Sequence, residues 1–218
     1  MRKLALIALT ALVMAGINPV QTAAHGMPLS KKIIVIDAGH GGWDPGMVRG
    51  KVEEKDINLS IARKLQVFLE QGDATVIITR LDDSDLAKNK TGDMQARRLT
   101  ANTSHADIFV SIHQNSYHNS TVKGFQVFYF NESDNSMKLA ACIQDSLKEF
   151  VNPQNKLSSR ANKNYYVLKQ TEMPAVLIEC GFLTNASERS LLTTEAYQEK
   201  IAWGIYMGIV DYFNLELP

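Results

Sequence analysis

The chain has little cysteine, no excess of either charge, and no apolar run long enough to span a bilayer. Its 218 residues include only two cysteines, Cys142 and Cys180, too few for a disulfide scaffold. An exported chain would permit one bridge between them, but buried free cysteine is a common core residue, and a free pair is expected. Lysine plus arginine number 23, as do aspartate plus glutamate, so no electrostatic argument exists for nucleic acid or an anionic membrane as partner. The apolar or small stretch at 4–17 is 14 residues long, short of the ~20 that cross a bilayer as a helix. No repeat, low-complexity tract or proline- or serine-rich linker interrupts residues 30–218, which excludes a repeat array and favours one domain.

What is present begins with that short apolar stretch. Arg2 and Lys3 precede it, and Asn18-Pro19 and Thr22-Ala23-Ala24 follow it. This order reads as an export signal over residues 1–24 with Ala24 the last residue removed; an uncleaved anchor is the alternative. The remaining 194 residues, with 21 basic and 23 acidic side chains, suffice for one domain with a sizeable core.

Along that domain, β-branched apolar runs at 33–37, 75–79, 108–113, 124–130 and 175–179 alternate with helical spacings. The helical stretches are 57–69, 94–105, 139–150 and 197–213. A further short strand is expected at 165–168, joined to the last one by a turn around Met173-Pro174. Alternation of this kind predicts a three-layer α/β domain: a mostly parallel sheet of about six strands with helices on both faces. Ligands of such folds bind outside the carboxyl ends of the strands. Four strands end there in polar groups: Asp37 leading to His40, Thr79-Arg80, Ser111-Ile112-His113, and Ile178-Glu179.

The segment Asp37-Ala38-Gly39-His40-Gly41-Gly42 resembles a phosphate loop only superficially. It is neither G-x-G-x-x-G nor a P-loop, and no helix follows directly, so a nucleotide cofactor is not expected. Its glycines instead let a strand end turn tightly around His40. Alone, His40 or His113 reads first as a hydrogen-bonded structural histidine rather than a ligand; together on one rim they suggest metal ligands. Glu53 or Glu54, opening the first long helix, can complete a His, Glu, His set for Zn²⁺ with a fourth position open, the pattern of catalytic zinc. An acid here also has a simple helix-dipole explanation. Glu179 ends a strand that otherwise reads as fully buried. Such a carboxylate is costly unless paired or used, for instance to take and return a proton beside a metal.

Four stretches in order then resemble the zinc-dependent N-acetylmuramoyl-L-alanine amidases. They are Ile36-Asp37-Ala38-Gly39-His40-Gly41-Gly42, Glu54-Lys55-Asp56-Ile57-Asn58-Leu59, Ser111-Ile112-His113-Gln114-Asn115, and 177–185 from Leu177 to Asn185. The likeness runs from about Lys32 to Phe213. It implies that His40, Glu54 and His113 hold zinc, selecting Glu54 over Glu53, and that Glu179 is the catalytic acid and base. It places Asn58, Arg80, Arg97 and Asn115 on polar positions that orient ligands or substrate. The implied substrate is peptidoglycan, cut at the amide between the lactyl group of N-acetylmuramic acid and L-alanine, which agrees with the export signal. The residues before and after the site depart from the family at Gln114, often Ala, and Cys180, often Ala or Val; neither is expected to touch a ligand.

Some relatives insert a long helix that plugs the zinc site until an activator binds. Only 66 positions separate His113 from Glu179 here, filled by the expected strand, helix and 165–168 strand, with no spare helix. An open site need not bind zinc tightly, which leaves a role for an activator protein. The compact form most resembles the branch acting on spore cortex. Two other functions compete: a zinc carboxypeptidase, which would need a convergent arginine pair such as Arg80 and Arg97 near the metal, and a non-catalytic peptidoglycan-binding protein.

Overall fold

The computed structural model describes residues 27–215; the export signal expected at 1–24 lies outside the described residues. In chain order the elements are β1 (Ile33–Ala38), the short hairpin β2 (Val48–Arg49) and β3 (Val52–Glu53), α1 (Glu54–Gln71), β4 (Thr75–Ile78), α2 (Lys90–Thr103) and β5 (Ile108–Asn115). Then come β6 (Gln126–Tyr129), α3 (Asp134–Phe150), β7 (Arg160–Ala161), α4 (Tyr166–Gln170), β8 (Ala175–Phe182), α5 (Ala186–Leu192) and α6 (Glu195–Leu215).

Six strands form one sheet in the order β4-β1-β5-β8-β6-β7. The first four are parallel, and β6 runs antiparallel to β8 with β7 parallel to β6. The predicted mostly parallel sheet of about six strands, covered on both faces, is therefore the observed fold. From β1 the chain crosses to β4 on one side and then to β5 on the other. The carboxyl ends of β1 and β5 thus flank the point where strand order reverses, the place where such sheets open a crevice.

Period-two alternation distributes the strands between two cores. Ile34, Ile36, Val110, Ile112, Val176, Ile178 and Cys180 face the larger core, shared with Ile57, Ile61 and Leu65 of α1, Leu139 and Ile143 of α3, and Ile201 and Ile205 of α6. Val35, Phe109, Ala175, Leu177 and Phe128 face a smaller core with Ala101 of α2 and Val167 and Leu168 of α4. Further along the strands on this thinner side stand Asp37, Ser111 and Glu179 at the next same-face position and His113 one such position beyond Ser111. Asp37 is in register with Ser111, and His113 with Glu179. The hydrophobic pattern that fixes register therefore also fixes which side of the rim carries the polar groups.

Local signals account for the helix bounds. Glu54 and Asp56 lie in the first turn of α1, where carboxylates complement the dipole, and α1 ends at Gly72. Asn89 caps α2 by accepting from the Gly92 N–H, so α2 starts four residues before the expected 94. The strand expected at 165–168 is instead the start of helix α4, and the sixth strand is β7 at the sheet edge. Tyr165-Tyr166-Val167-Leu168 is too short a run for periodicity to separate strand from helix. Its Val167 and Leu168 reach the smaller core from a single helical turn, closed by the Lys169 N–H donating to the Tyr165 carbonyl. Cys142 and Cys180 are both free. Among the described residues no helix is long and apolar enough to cross a membrane.

Candidate active site

The loop after β1 carries His40 in a left-handed conformation, φ 62°. Outside glycine that geometry costs on the order of 1–3 kcal/mol and persists only where the surroundings impose it. They do so through backbone carbonyls. Asn58 donates to the Gly39 carbonyl at 3.0 Å, Arg80 to those of Ala38 at 2.9 Å and Gly39 at 3.2 Å. Arg97 donates to the carbonyls of Ala38 at 2.8 Å and His40 at 2.7 Å. Gly39 is required by close approach: a Cβ there would lie 2.3 Å from the His113 ring. At Gly46 a Cβ would meet Glu54 Oε2 at 2.6 Å and the His40 ring at 2.7 Å.

Three side chains converge above this loop. His40 Nε2 lies 3.2 Å and His113 Nδ1 3.0 Å from the same Glu54 oxygen, Oε1. The imidazole centroids are 5.0 Å apart at 77°. His40, Glu54 and His113 offer ligand atoms that all lie within 4.8 Å of one another. Two nitrogens and a carboxylate oxygen in that space are the donor set of a catalytic zinc site with further positions left for water and substrate. The outer nitrogen of His40, Nδ1, pairs with Asp44 Oδ2 at 2.8 Å, which fixes the tautomer that presents Nε2 inward. Glu54 Oε2 accepts from the Met47 N–H at 2.8 Å, and Oε1 from the Gln114 N–H at 3.0 Å. Burial works against its charge, but the hydrogen bonds to His113 and His40 hold this carboxyl well below the usual range.

The Gln114 side chain touches no candidate ligand, as expected; its amide donates to Asn58 Oδ1 at 3.2 Å, and only its backbone N–H bonds Glu54. Cys180 points to the opposite core, and burial pushes its thiol up, so it adds no thiolate to the site. Glu53, the alternative helix-start acid, pairs with Lys55 at 3.3 Å on the surface.

Glu179 lies across the cavity from the loop. It is 8% exposed, its Oε1 lies 3.5 Å from the Tyr165 hydroxyl, and its Oε2 has no hydrogen-bond partner among the described residues. Burial, opposed by His113 and reinforced by Glu54, pushes its carboxyl up to about 7. An orphaned buried carboxylate oxygen aimed into a cavity of 390 Å³ lined by the three candidate ligands fits a site built to receive water beside a cation.

Of the other expected residues, Asn58 and Arg80 are buried beneath the loop away from the cavity, whereas Arg97, also buried, forms part of the cavity wall. Arg97 also pairs with Asp37 at 2.6 Å and Asp93 at 2.7 Å. Asp37 in turn accepts from Thr79 and Ser111. Asn115 lines the cavity, with its side chain turned onto the Ser116 N–H. Sequence reasoning missed Asp44 and Tyr165. The signal for Asp44 is its offset of four from His40 across a turn; Tyr165 was hidden by its assignment to a strand.

A three-layer α/β domain with a His, Glu, His cluster and a buried acid facing one cavity is the architecture of a hydrolase with a candidate metal site. Residues 34–211 match the N-acetylmuramoyl-L-alanine amidase family, and the chain belongs to it. The chain is 38% identical to the germination-specific N-acetylmuramoyl-L-alanine amidase of Bacillus subtilis, over 86% of this chain and 82% of that protein. The CwlD amidase of Clostridioides difficile, solved in complex with the GerS lipoprotein, superposes with a TM-score of 0.82 at 42% identity over 84% of this chain and 99% of that one. A crystal structure of an N-acetylmuramoyl-L-alanine amidase from Clostridium difficile 630 gives 0.76 at 36% identity, over 84% and 97%.

Proposed function

We propose that residues 30–218 form a zinc-dependent amidase domain, exported by a signal at 1–24, that frees the stem peptide from the muramic acid of peptidoglycan. The observation carrying this reading is the convergence of His40, Glu54 and His113 beside the orphaned Glu179 oxygen. When bound there, zinc supplies Lewis acidity toward the scissile carbonyl and lowers the pKa of water. The protein supplies the rest. Glu179 Oε2 takes a proton from the attacking water, and the desolvated carboxyl holds it. The leaving L-alanine nitrogen must then lie within reach of the same oxygen, which returns the proton as the C–N bond breaks. Asp44 keeps His40 in one tautomer, and Arg80, Arg97 and Asn58 keep its backbone in the left-handed turn.

The germination-specific relative and the CwlD likeness support placement in the cortex-processing branch, outside the cytoplasm. The GerS complex supports an activator protein as partner. A carboxypeptidase reading needs arginines that present free N–H groups to a terminal carboxylate. Arg80 and Arg97 direct theirs to carbonyls, Asp37 and Asp93 instead, which favours the amidase. The test is mass spectrometry of products from intact peptidoglycan, with and without added zinc. Zinc-dependent release of whole stem peptide from uncut glycan is expected. Loss of a single terminal amino acid would instead establish the carboxypeptidase.

A further inference from the structure

Beyond Tyr165 the metal cavity continues into a second groove of 710 Å³ that shares Asn115 and Tyr165 with it. Its floor includes Gln126 and Phe128 of β6, its wall is the segment through β7 to Tyr165, and the Tyr165 ring packs edge-on against Phe128 at 5.4 Å. The two compartments differ in charge. Around the His, Glu, His cluster the acids Asp37, Asp44, Glu54, Asp93 and Glu179 outnumber the cations Lys90 and Arg97. The second groove is lined by no acid, and its charged residues are Arg160 and Lys163. Both are exposed, and neither side chain bonds or pairs with any described residue.

Chemistry fixes which half of the substrate lies there. If Glu179 returns the proton to the leaving amine, the peptide must depart from the Glu179 end of the cavity, and Tyr165, in contact with Glu179, opens onto the groove. The lactyl carboxyl of the glycan is consumed in the scissile amide, so the glycan is neutral at that point. The peptide is not. Its second residue, a γ-linked glutamate, keeps a free α-carboxylate one residue beyond the L-alanine. A cationic groove next to an anionic metal cavity complements that peptide end and not the glycan.

We propose that Arg160 and Lys163 form a carboxylate subsite for the second residue of the stem peptide, in the groove between β6 and the 160–165 segment. This rests on the amidase reading above. The subsite sets substrate choice: peptidoglycan whose second residue is amidated loses the matching charge and binds less well.

Binding is measured by calorimetry without turnover, using the free peptide L-alanyl-γ-D-glutamyl-L-lysine and its analogue with the α-carboxylate amidated. The full-length protein should bind the acid about 5- to 10-fold more tightly, the scale of two partly exposed ion pairs. The double variant Arg160→Gln, Lys163→Gln should bind both alike, with its melting temperature unchanged. Equal affinities in the wild type, absence of binding by either peptide at millimolar concentration, or preference retained in the double variant would each overturn the subsite. Product analysis separates the two readings. Discrimination without stem-peptide release breaks the amidase assignment, whereas release without discrimination breaks the subsite alone.

Discussion

The two walls of the cavity are built in opposite ways. On one side, the loop from Gly39 to Met47 is held by side chains from three elements. Asn58 of α1, Arg80 after β4 and Arg97 of α2 hold its carbonyls, while Lys55 takes the Gly42 carbonyl and Asp83 the Gly42 N–H. On the other, the 160–165 segment is held by backbone, through the pairing of β7 with β6 and the Asn162 N–H donating to the Tyr129 carbonyl, and by Asn162 accepting from the N–H groups of Asn164 and Tyr165. Its Arg160 and Lys163 reach solvent. A metal ion needs donors at fixed angles, and the first wall is over-determined to the point of sustaining a strained histidine. A flexible peptide needs only charge and room, and the second wall supplies those on a strand edge, without a set of charged side chains holding its carbonyls.

Substitutions at the braced wall should therefore cost most. His113→Ala removes a proposed ligand and should abolish both zinc binding and turnover. Glu179→Gln, which leaves all three ligands in place, should keep stoichiometric zinc yet lose on the order of 10²–10⁴ in kcat. Metal analysis of the two purified variants beside product release checks both, and full activity in Glu179→Gln would remove the proposed acid and base. Next in size, Arg97→Ala leaves the carboxylate of Asp37 buried without its cation and should destabilise the fold by about 3–5 kcal/mol. The exposed Arg160→Ala should stay within about 0.5 kcal/mol of wild type. Urea unfolding of the pair reads the comparison directly. Similar losses at both positions would mean that the walls are not differently built.

The sequence made the sheet legible because its apolar strands are long and end in polar residues, and strand ends are where such folds place chemistry. His40, Glu54, His113 and Glu179 were visible as strand-end or helix-start anomalies, and they do assemble on one rim. The choice of Glu54 over Glu53 was not, because one residue's offset at a helix start reverses which side chain turns inward. Only the family likeness made that choice before the fold did. Arg80 and Arg97 were legible as polar site support but not as loop braces, since their partners are backbone carbonyls that no side-chain pattern records. Tyr165 was lost to a four-residue aromatic and β-branched run whose single helical turn carries no period to read.

A smaller effect than that at Arg97 concerns the pH dependence of stability and tests whether Glu179 is as desolvated as its role requires. Burial raises this carboxyl from 4.5 to about 7 in the folded, metal-free protein, with His113 opposing and Glu54 adding to the shift. Unfolding exposes an ordinary carboxyl, so between those two values the unfolded chain releases its proton while the folded chain retains it. The folded state therefore loses stability as pH rises from about 4.5, and the full cost is present once pH exceeds about 7. Glu179→Gln cannot ionise and escapes that cost. In metal-free protein the variant and wild type should gain no relative difference near pH 4, whereas by about pH 8 the variant should become more stable by about 1–3 kcal/mol. Zinc should narrow the gap, because a nearby cation favours the carboxylate. A difference that stays constant across this range would show that Glu179 ionises as freely as an exposed carboxyl.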